Sequence, residues 1–292
     1  MTKPAASSGL AVIDKPAGWT SHDVVAKCRG IFGTKKVGHS GTLDPMATGV
    51  LVLGVGRGTK LMRFLSGLPK TYEAGIAFGV ETDSLDADGE VTATHQMAAP
   101  TVEGLAAAAA ELTGDIRQVP PMVSAVKVGG RRLHQLAREG KEVRRDPRPV
   151  TVSRFELAPT EDPMVWRASI DCSSGTYVRV LAADLGHALG GGAHLCELRR
   201  TAVGPFGVEE AEPMESATVL PLAEIARVLQ PVGTGEEQAA LVANGQVLSL
   251  DSLGVPAGST GPWAVLGPDG TLLAVYEPHR SGYAKPAVVT AG

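Results

Sequence analysis

Length, composition and charge exclude several classes of protein at once. The chain has 292 residues, which suggests about two domains. Its 43% hydrophobic and 20% charged residues support a packed core and rule out a wholly disordered chain. No apolar run approaches the ~18 residues that span a bilayer, and Leu10 to Ile13 is too short for a secretory signal. Cys28, Cys172 and Cys196 are an odd number with no CxxC pair, so they read as three buried small hydrophobes, without a disulfide framework or a structural zinc site. These features describe a cytoplasmic protein with no membrane partner.

The net charge of −4 hides an uneven distribution. Residues 1–80 hold ten Lys/Arg against four Asp/Glu, and residues 81–115 hold eight acids and no base. Arg131 to Arg148 then holds seven bases and three acids. Two basic segments around an acidic one can assemble a positive face on a neutral protein. They can equally remain a solvated mixed surface.

In chain order, Gly9–Asp14 predicts a short buried strand ended by Lys15-Pro16-Ala17-Gly18. Ser21 is placed to cap a helix whose Val24, Val25, Cys28, Ile31 and Phe32 share one face, with Gly33 as its stop. A Gly/Ser/Thr-rich loop from Lys35 to Pro45 follows. After it come a buried strand at Gly49–Leu53 and a short helix at Thr59–Leu65. Tyr72–Val80 alternates, with Tyr72, Ala74, Ile76, Phe78 and Val80 on one face of a half-buried strand. Thr101–Leu112 is an alanine-rich helix stopped by Gly114. Trp166–Cys172 is another alternating strand, turning through Ser173-Ser174-Gly175 into a helix from Thr176 to Leu189.

This order does not fit a doubly wound parallel sheet. It predicts an α+β fold, with a mixed, largely antiparallel sheet flanked by helices. The texture changes near Pro231-Val232-Gly233. Hairpin signals at Trp263–Leu266 and Leu272–Tyr276 predict a small β-rich second domain over residues 233–292, after a first domain of residues 1–230.

Several motifs fail on chemistry. Ser84 and His95 occupy the end positions of the calcium-like loop around Asp86-Ala87-Asp88-Gly89, so that segment reads as a hairpin turn with acidic tips. Gly54 to Lys60 lacks the P-loop spacing. Ser21, His22 and Asp23 are consecutive and cannot form a triad on a helix. His187 and His194 lack a third metal ligand.

What survives is Asp44 and Arg179. Pro45 pushes Asp44 towards extended backbone inside the Gly/Ser/Thr loop. Arg179 lies near a helix start, where a cation opposes the dipole by roughly 0.3–1 kcal/mol unless an anion compensates. Asp44 would be that anion, and the pairing would oppose its desolvation in a pocket.

The residues Gly38-His39-Ser40-Gly41-Thr42-Leu43-Asp44-Pro45, with Ala47-Thr48-Gly49, resemble the catalytic motif of bacterial TruB-type tRNA pseudouridine synthases. Asp14-Lys15-Pro16 with Gly18, Lys70-Thr71-Tyr72 and Pro121 to Lys127 with Gly130 resemble further family motifs in order. So do Cys172 to Arg179 and Leu198-Arg199-Arg200, and the match runs from about residue 9 to 207.

The resemblance implies isomerisation of uridine to pseudouridine at position 55 in the tRNA T-loop, by a monomer needing no cofactor, metal or guide RNA. Asp44 would be the essential carboxylate, acting covalently on the uracil or on the ribose. Tyr72 would stack on the flipped base and help remove the C5 proton, and Arg179 would pair with Asp44. His39 would favour the flipped state and Leu198 would line the uracil pocket. Lys15 is counted with the substrate-binding group, as a support of the pocket together with Pro16. Lys35 and Lys36, with Lys27 and Arg29, would contact phosphates, as would Arg131 and Arg132 in a thumb-like insertion at about 128–150 over the T-arm.

Leu133-His134 stands where the family commonly has a leucine–tyrosine pair, and Ser40 where threonine is frequent. The C-terminal region resembles a PUA-like β-barrel, but its net charge of −3 over residues 231–292 does not suit strong phosphate binding. The competing readings are a non-catalytic tRNA-binding or folding protein, a guide-RNA-dependent relative, and a carboxylate-pair glycosidase whose second acid would lie among Asp83, Asp86 and Asp88.

Overall fold

The structure is a computed structural model that describes residues 8–124, 127, 128, 130–132, 139, 141 and 143–291. The side chain of Arg132, and Leu133 and His134 altogether, lie outside the described residues.

The chain opens with β1 (Gly9–Lys15), α1 (Ser21–Ile31), β2 (Val37–His39), β3 (Thr48–Val55), a 3-10 turn (Gly56–Leu61) and α2 (Met62–Leu65). Next come β4 (Lys70–Phe78), β5 (Val80–Thr82), β6 (Val91–Thr94), α3 (Val102–Glu111) and β7 (Gly114–Gln118). The short pair β8 (Lys127–Val128) and β9 (Arg131–Arg132) precedes β10 (Arg148–Pro159), β11 (Val165–Cys172), α4 (Val178–Ala188), β12 (Ala193–Val203) and β13 (Phe206–Gly207). Then follow β14 (Gln230–Gly233), α5 (Glu236–Ala243), β15 (Leu248–Ser249), α6 (Leu250–Leu253), β16 (Trp263–Leu266), β17 (Leu272–Pro278) and β18 (Tyr283–Val289).

The large sheet runs β1-β3-β12-β4-β11-β10-β7, with β2 on β3 and β13 on β12. Only the β3–β12 pairing is parallel, so the sheet is mixed and largely antiparallel. One face packs on α3 and α4 through Tyr72, Ile76, Phe78, Leu105, Leu181 and Leu185.

At the other end, the continuous apolar runs of β1 and β3 have a structural reason. Ala11, Ile13, Leu51 and Leu53 pack with Val24, Val25 and Cys28 of α1. The alternate residues Leu10, Val12, Val50 and Val52 share a core with Ala264, Leu272 and Val275 of the second sheet. A strand buried on both faces has no polar face to alternate with. That second sheet, β14-β16-β17-β18-β15, holds the Trp263–Leu266 and Leu272–Pro278 hairpin.

Local expectations need three corrections. The α1 cap is Thr20, not Ser21: Thr20 and Asp23 form a reciprocal capping box, and Ser21 is buried for another purpose. Helix α4 starts at Val178, two residues after Thr176, because the backbone of Tyr177 is still extended. Cys28 and Cys172 are buried, but Cys196 is half-exposed.

Candidate active site

Asp44 lies at the tip of the β2–β3 hairpin, in the loop of residues 40–47. The register Val37↔Val55 to His39↔Leu53 fixes the start of the loop, and its end enters β3 at Thr48 and Gly49, where β3 pairs with β12. Its backbone is fastened from three directions. Ser21 Oγ accepts from Leu43 N at 2.8 Å and donates to Leu43 O at 3.1 Å, which is why this serine is buried. Lys15 Nζ donates to Pro45 O at 3.2 Å, and to Pro16 O and Trp19 O at 2.9 and 2.7 Å. Arg200 donates from Nε to Val50 O at 2.7 Å, from Nη1 to Thr42 O at 3.1 Å and from Nη2 to Gly41 O at 3.3 Å. Leu43 and Ala47 anchor the loop in the core on either side of Asp44. A loop satisfied this fully holds its one outward carboxylate in a fixed place.

Arg179, the second residue of α4, is 3% exposed and reaches that carboxylate, with Nε 3.0 Å from Asp44 Oδ2. Its Nη1 lies 3.2 Å from Asp86 Oδ2 and donates to Ser84 O at 2.7 Å, and its Nη2 donates to Val123 O at 3.0 Å. Asp86 therefore departs from the turn-tip expectation. It sits in the β5–β6 hairpin but is buried, its Oδ1 accepting from Ser84 Oγ at 2.5 Å and Asp88 N at 3.2 Å. Asp83 and Asp88 do face solvent. The guanidinium thus carries two carboxylates, and the opposed helix dipole is compensated twice. Burial raises the Asp44 carboxyl above its usual range, Arg179 pulls against it, and nearby Asp86 adds to the rise.

Asp44 and Arg179 open onto a cavity of about 440 Å³. Strand alternation supplies its wall. On β12, Leu198 and Arg200 face the cavity, while Arg199 points to the opposite face and binds Asp14 through Nη1–Oδ1 at 3.1 Å and Nη2–Oδ2 at 2.8 Å. On the paired strand, Tyr72 lies opposite Arg200 and Ala74 opposite Leu198. His39, Lys70 and Tyr177 are among the other lining residues. Burial lowers the His39 imidazole, with His22 and Arg200 adding to it; the His22 ring meets the His39 ring edge-on at 5.5 Å. Burial also raises the Tyr72 phenol, opposed by Arg200, and brings Lys70 down to about 8.

The structure therefore brings together Asp44, Tyr72, Arg179, His39 and Leu198. Lys15 is buried and does not line the cavity; it ties the loop carbonyl of Pro45 to the carbonyls of Pro16 and Trp19 and is not placed to touch a substrate. Lys35, Lys36 and Arg131 are exposed and do not line the cavity, and Arg131 is paired with Glu139. Sequence reasoning missed Asp86 and passed over Arg200. The period-two alternation around Leu198 could have pointed to Arg200, but nothing local distinguished Asp86 from its neighbours.

Comparison with known proteins shows the family of the chain. Residues 29–178 match the model of the TruB family pseudouridylate synthase (N terminal domain), and residues 179–235 match that of the tRNA pseudouridylate synthase B C-terminal domain. A protein of Arthrobacter sp. (strain FB24) called tRNA pseudouridine synthase B is 45% identical over 97% of each chain. One of the same name from Mycobacteroides abscessus is 53% identical over 74% of each. Among solved structures, a Cbf5-Nop10-Gar1 complex contains a chain with a TM-score of 0.72 at 24% identity, covering 97% of this chain and 84% of that one. That likeness establishes a common fold. The chain belongs to the TruB family of pseudouridylate synthases.

Proposed function

We propose that this enzyme isomerises uridine to pseudouridine at position 55 in the T-loop of tRNA, as a cytoplasmic monomer acting without a guide RNA. The observation that carries the reading is the Arg179–Asp44 ion pair at 3.0 Å on the wall of a cavity whose other side is Tyr72 and Leu198. The name shared by the relatives supports tRNA as substrate. No helix among the described residues is long and apolar enough to cross a membrane.

A uridine inside a folded loop must leave its stack before its glycosidic carbon is reachable, at a cost of a few kcal/mol. Stacking on Tyr72, worth ~1–3 kcal/mol per base, offsets part of that cost, with Leu198 on the same cavity wall. His39 lines the cavity and favours the flipped state. Asp44 supplies the anionic oxygen that acts on the nucleoside as the N1–C1′ bond breaks, and Arg179 keeps that oxygen ionised and oriented. The freed uracil turns and rejoins C1′ through C5, and Tyr72 helps remove the C5 proton. Residues 1–230 form the catalytic part in this reading and 233–292 a PUA-like module, with Lys35, Lys36, Arg131 and Arg132 on the phosphate path.

The test is incubation with an unmodified tRNA transcript and no added RNA, followed by mapping of the changed uridine. One pseudouridine in the T-loop is expected, absent with Asp44→Asn while the transcript still binds. No product from the unaltered protein, or undiminished product from the variant, overturns the proposal.

A further inference from the structure

Arg200 has more donors than the loop uses. A guanidinium carries five N–H groups, and three of them are spent on the carbonyls of Val50, Thr42 and Gly41. The remaining two sit on Nη1 and Nη2, at the cavity wall. The β4–β12 register puts Tyr72 directly opposite, with both side chains on the cavity face, so the guanidinium lies beside the phenol and its charge opposes the burial that raises it. An always-charged donor beside that oxygen holds it as an acceptor and favours its ionised form.

We infer that Arg200 is a positioning residue that presents the Tyr72 oxygen, lone pair outward, to the C5 proton of the reattached uracil. The inference rests on the function proposed above and adds a residue to its last step. In that step Tyr72 acts as the phenolate that the Arg200 charge favours: the C5–H bond breaks, its proton passes to the anionic Tyr72 Oη, and the neutral phenol is left. The bonding pair becomes the C5=C6 double bond. The electrons it displaces at C6 go to N1, or back to the Asp44 oxygen if that oxygen was bonded to C6. Other groups near Tyr72 suit the task less well. Burial pushes the Cys172 thiol up to about 11, and Lys70 Nζ already donates to Ser66 O and Leu68 O at 2.8 and 2.6 Å. His39, held neutral by burial, is the rival base.

The experiment compares single-turnover pseudouridine formation on transcripts made with ordinary uridine and with 5-deuterated uridine. Arg200→Met and Arg200→Gln should slow the reaction by on the order of 10²-fold. They should also raise the ratio of the two rates above that of the unaltered enzyme, because proton removal becomes limiting. Arg200→Lys should recover part of the rate and lower the ratio again. Melting and transcript binding identify the variants that fold, and Gln or Lys carries the test if Met does not. An unchanged ratio in every folded variant, or a raised ratio in His39→Ala alone, overturns the inference: Arg200 then only shapes the loop. Failure of the parent reading looks different, since the unaltered enzyme would make no pseudouridine.

Discussion

Lys15, Arg179 and Arg200 are at most 3% exposed and each has three or more polar partners, whereas Lys35, Lys36 and Arg131 project into solvent around the same molecule. Taking a cation out of water costs several kcal/mol unless partners replace its hydration. The inner set meets that cost with backbone carbonyls, among them Gly41, Thr42 and Pro45 of the loop that carries Asp44, and with the carboxylates of Asp44 and Asp86. Each inner charge therefore couples loop geometry to the stability of the fold. An exposed cation costs little and gains little until a polyanion arrives. The inner set should govern turnover and stability, and the outer set affinity and its salt dependence.

The sharpest way to break that division is at the anion the inner set surrounds. Asp44→Asn should lower turnover by on the order of 10⁴-fold with transcript binding retained; a loss of binding instead would move Asp44 to the outer class. The same group sets an acid limit. Its raised carboxyl is protonated at a higher pH than an ordinary aspartate, so turnover should fall as pH drops through a value above 3.8. The native state then binds that proton more readily than the unfolded chain, so Asp44 alone adds stability as pH falls through the same window. A pH–rate profile with an unshifted acid limb contradicts the burial argument.

Arg179→Met should come next, because it leaves Asp44 and Asp86 facing each other without their cation. Breaking such a pair costs about 3–5 kcal/mol, read as a lower urea midpoint. If adding Asp86→Asn to Arg179→Met restores part of that loss, the cost lies in the unpaired carboxylates, as the geometry requires. Lys15→Met removes the donor to Pro16 O, Trp19 O and Pro45 O. A loss of about 1–3 kcal/mol should appear in thermal melting, with reduced turnover from a looser loop. The smallest effect belongs to the outer set. Replacing Lys35 and Lys36 together by alanine should leave stability within about 0.5 kcal/mol and turnover unchanged. It should flatten the slope of log affinity against log salt by about 1.5–2, and an unaltered slope would place these lysines off the RNA path.

How much of this was readable in advance depended on whether the signal was local. The alternation in Tyr72–Val80 and Trp166–Cys172 is local, and both strands formed, the first ending at Phe78 with Val80 opening the next strand. Thr20 and Ser21 are adjacent and both suit a helix cap. Which one caps depended on Leu43, 22 residues away, claiming the Ser21 hydroxyl. Asp83, Asp86 and Asp88 look alike in a turn-rich segment. Only the approach of Arg179 from α4 singles out Asp86, and that cation together with the Ser84 hydroxyl and the Asp88 amide makes its burial tolerable.

Periodicity, turn chemistry and motif order by themselves determined the class of fold, the loop that presents Asp44 and the helix that presents Arg179, because each is encoded within a dozen residues. The partners of buried charges were decided by tertiary structure. Asp86 under Arg179, Arg200 against Tyr72 and Lys15 beneath Pro45 each join segments separated by tens to more than a hundred residues. A buried charge takes whichever oxygen or nitrogen the packing brings within about 3 Å, and that choice leaves no mark in the neighbouring sequence.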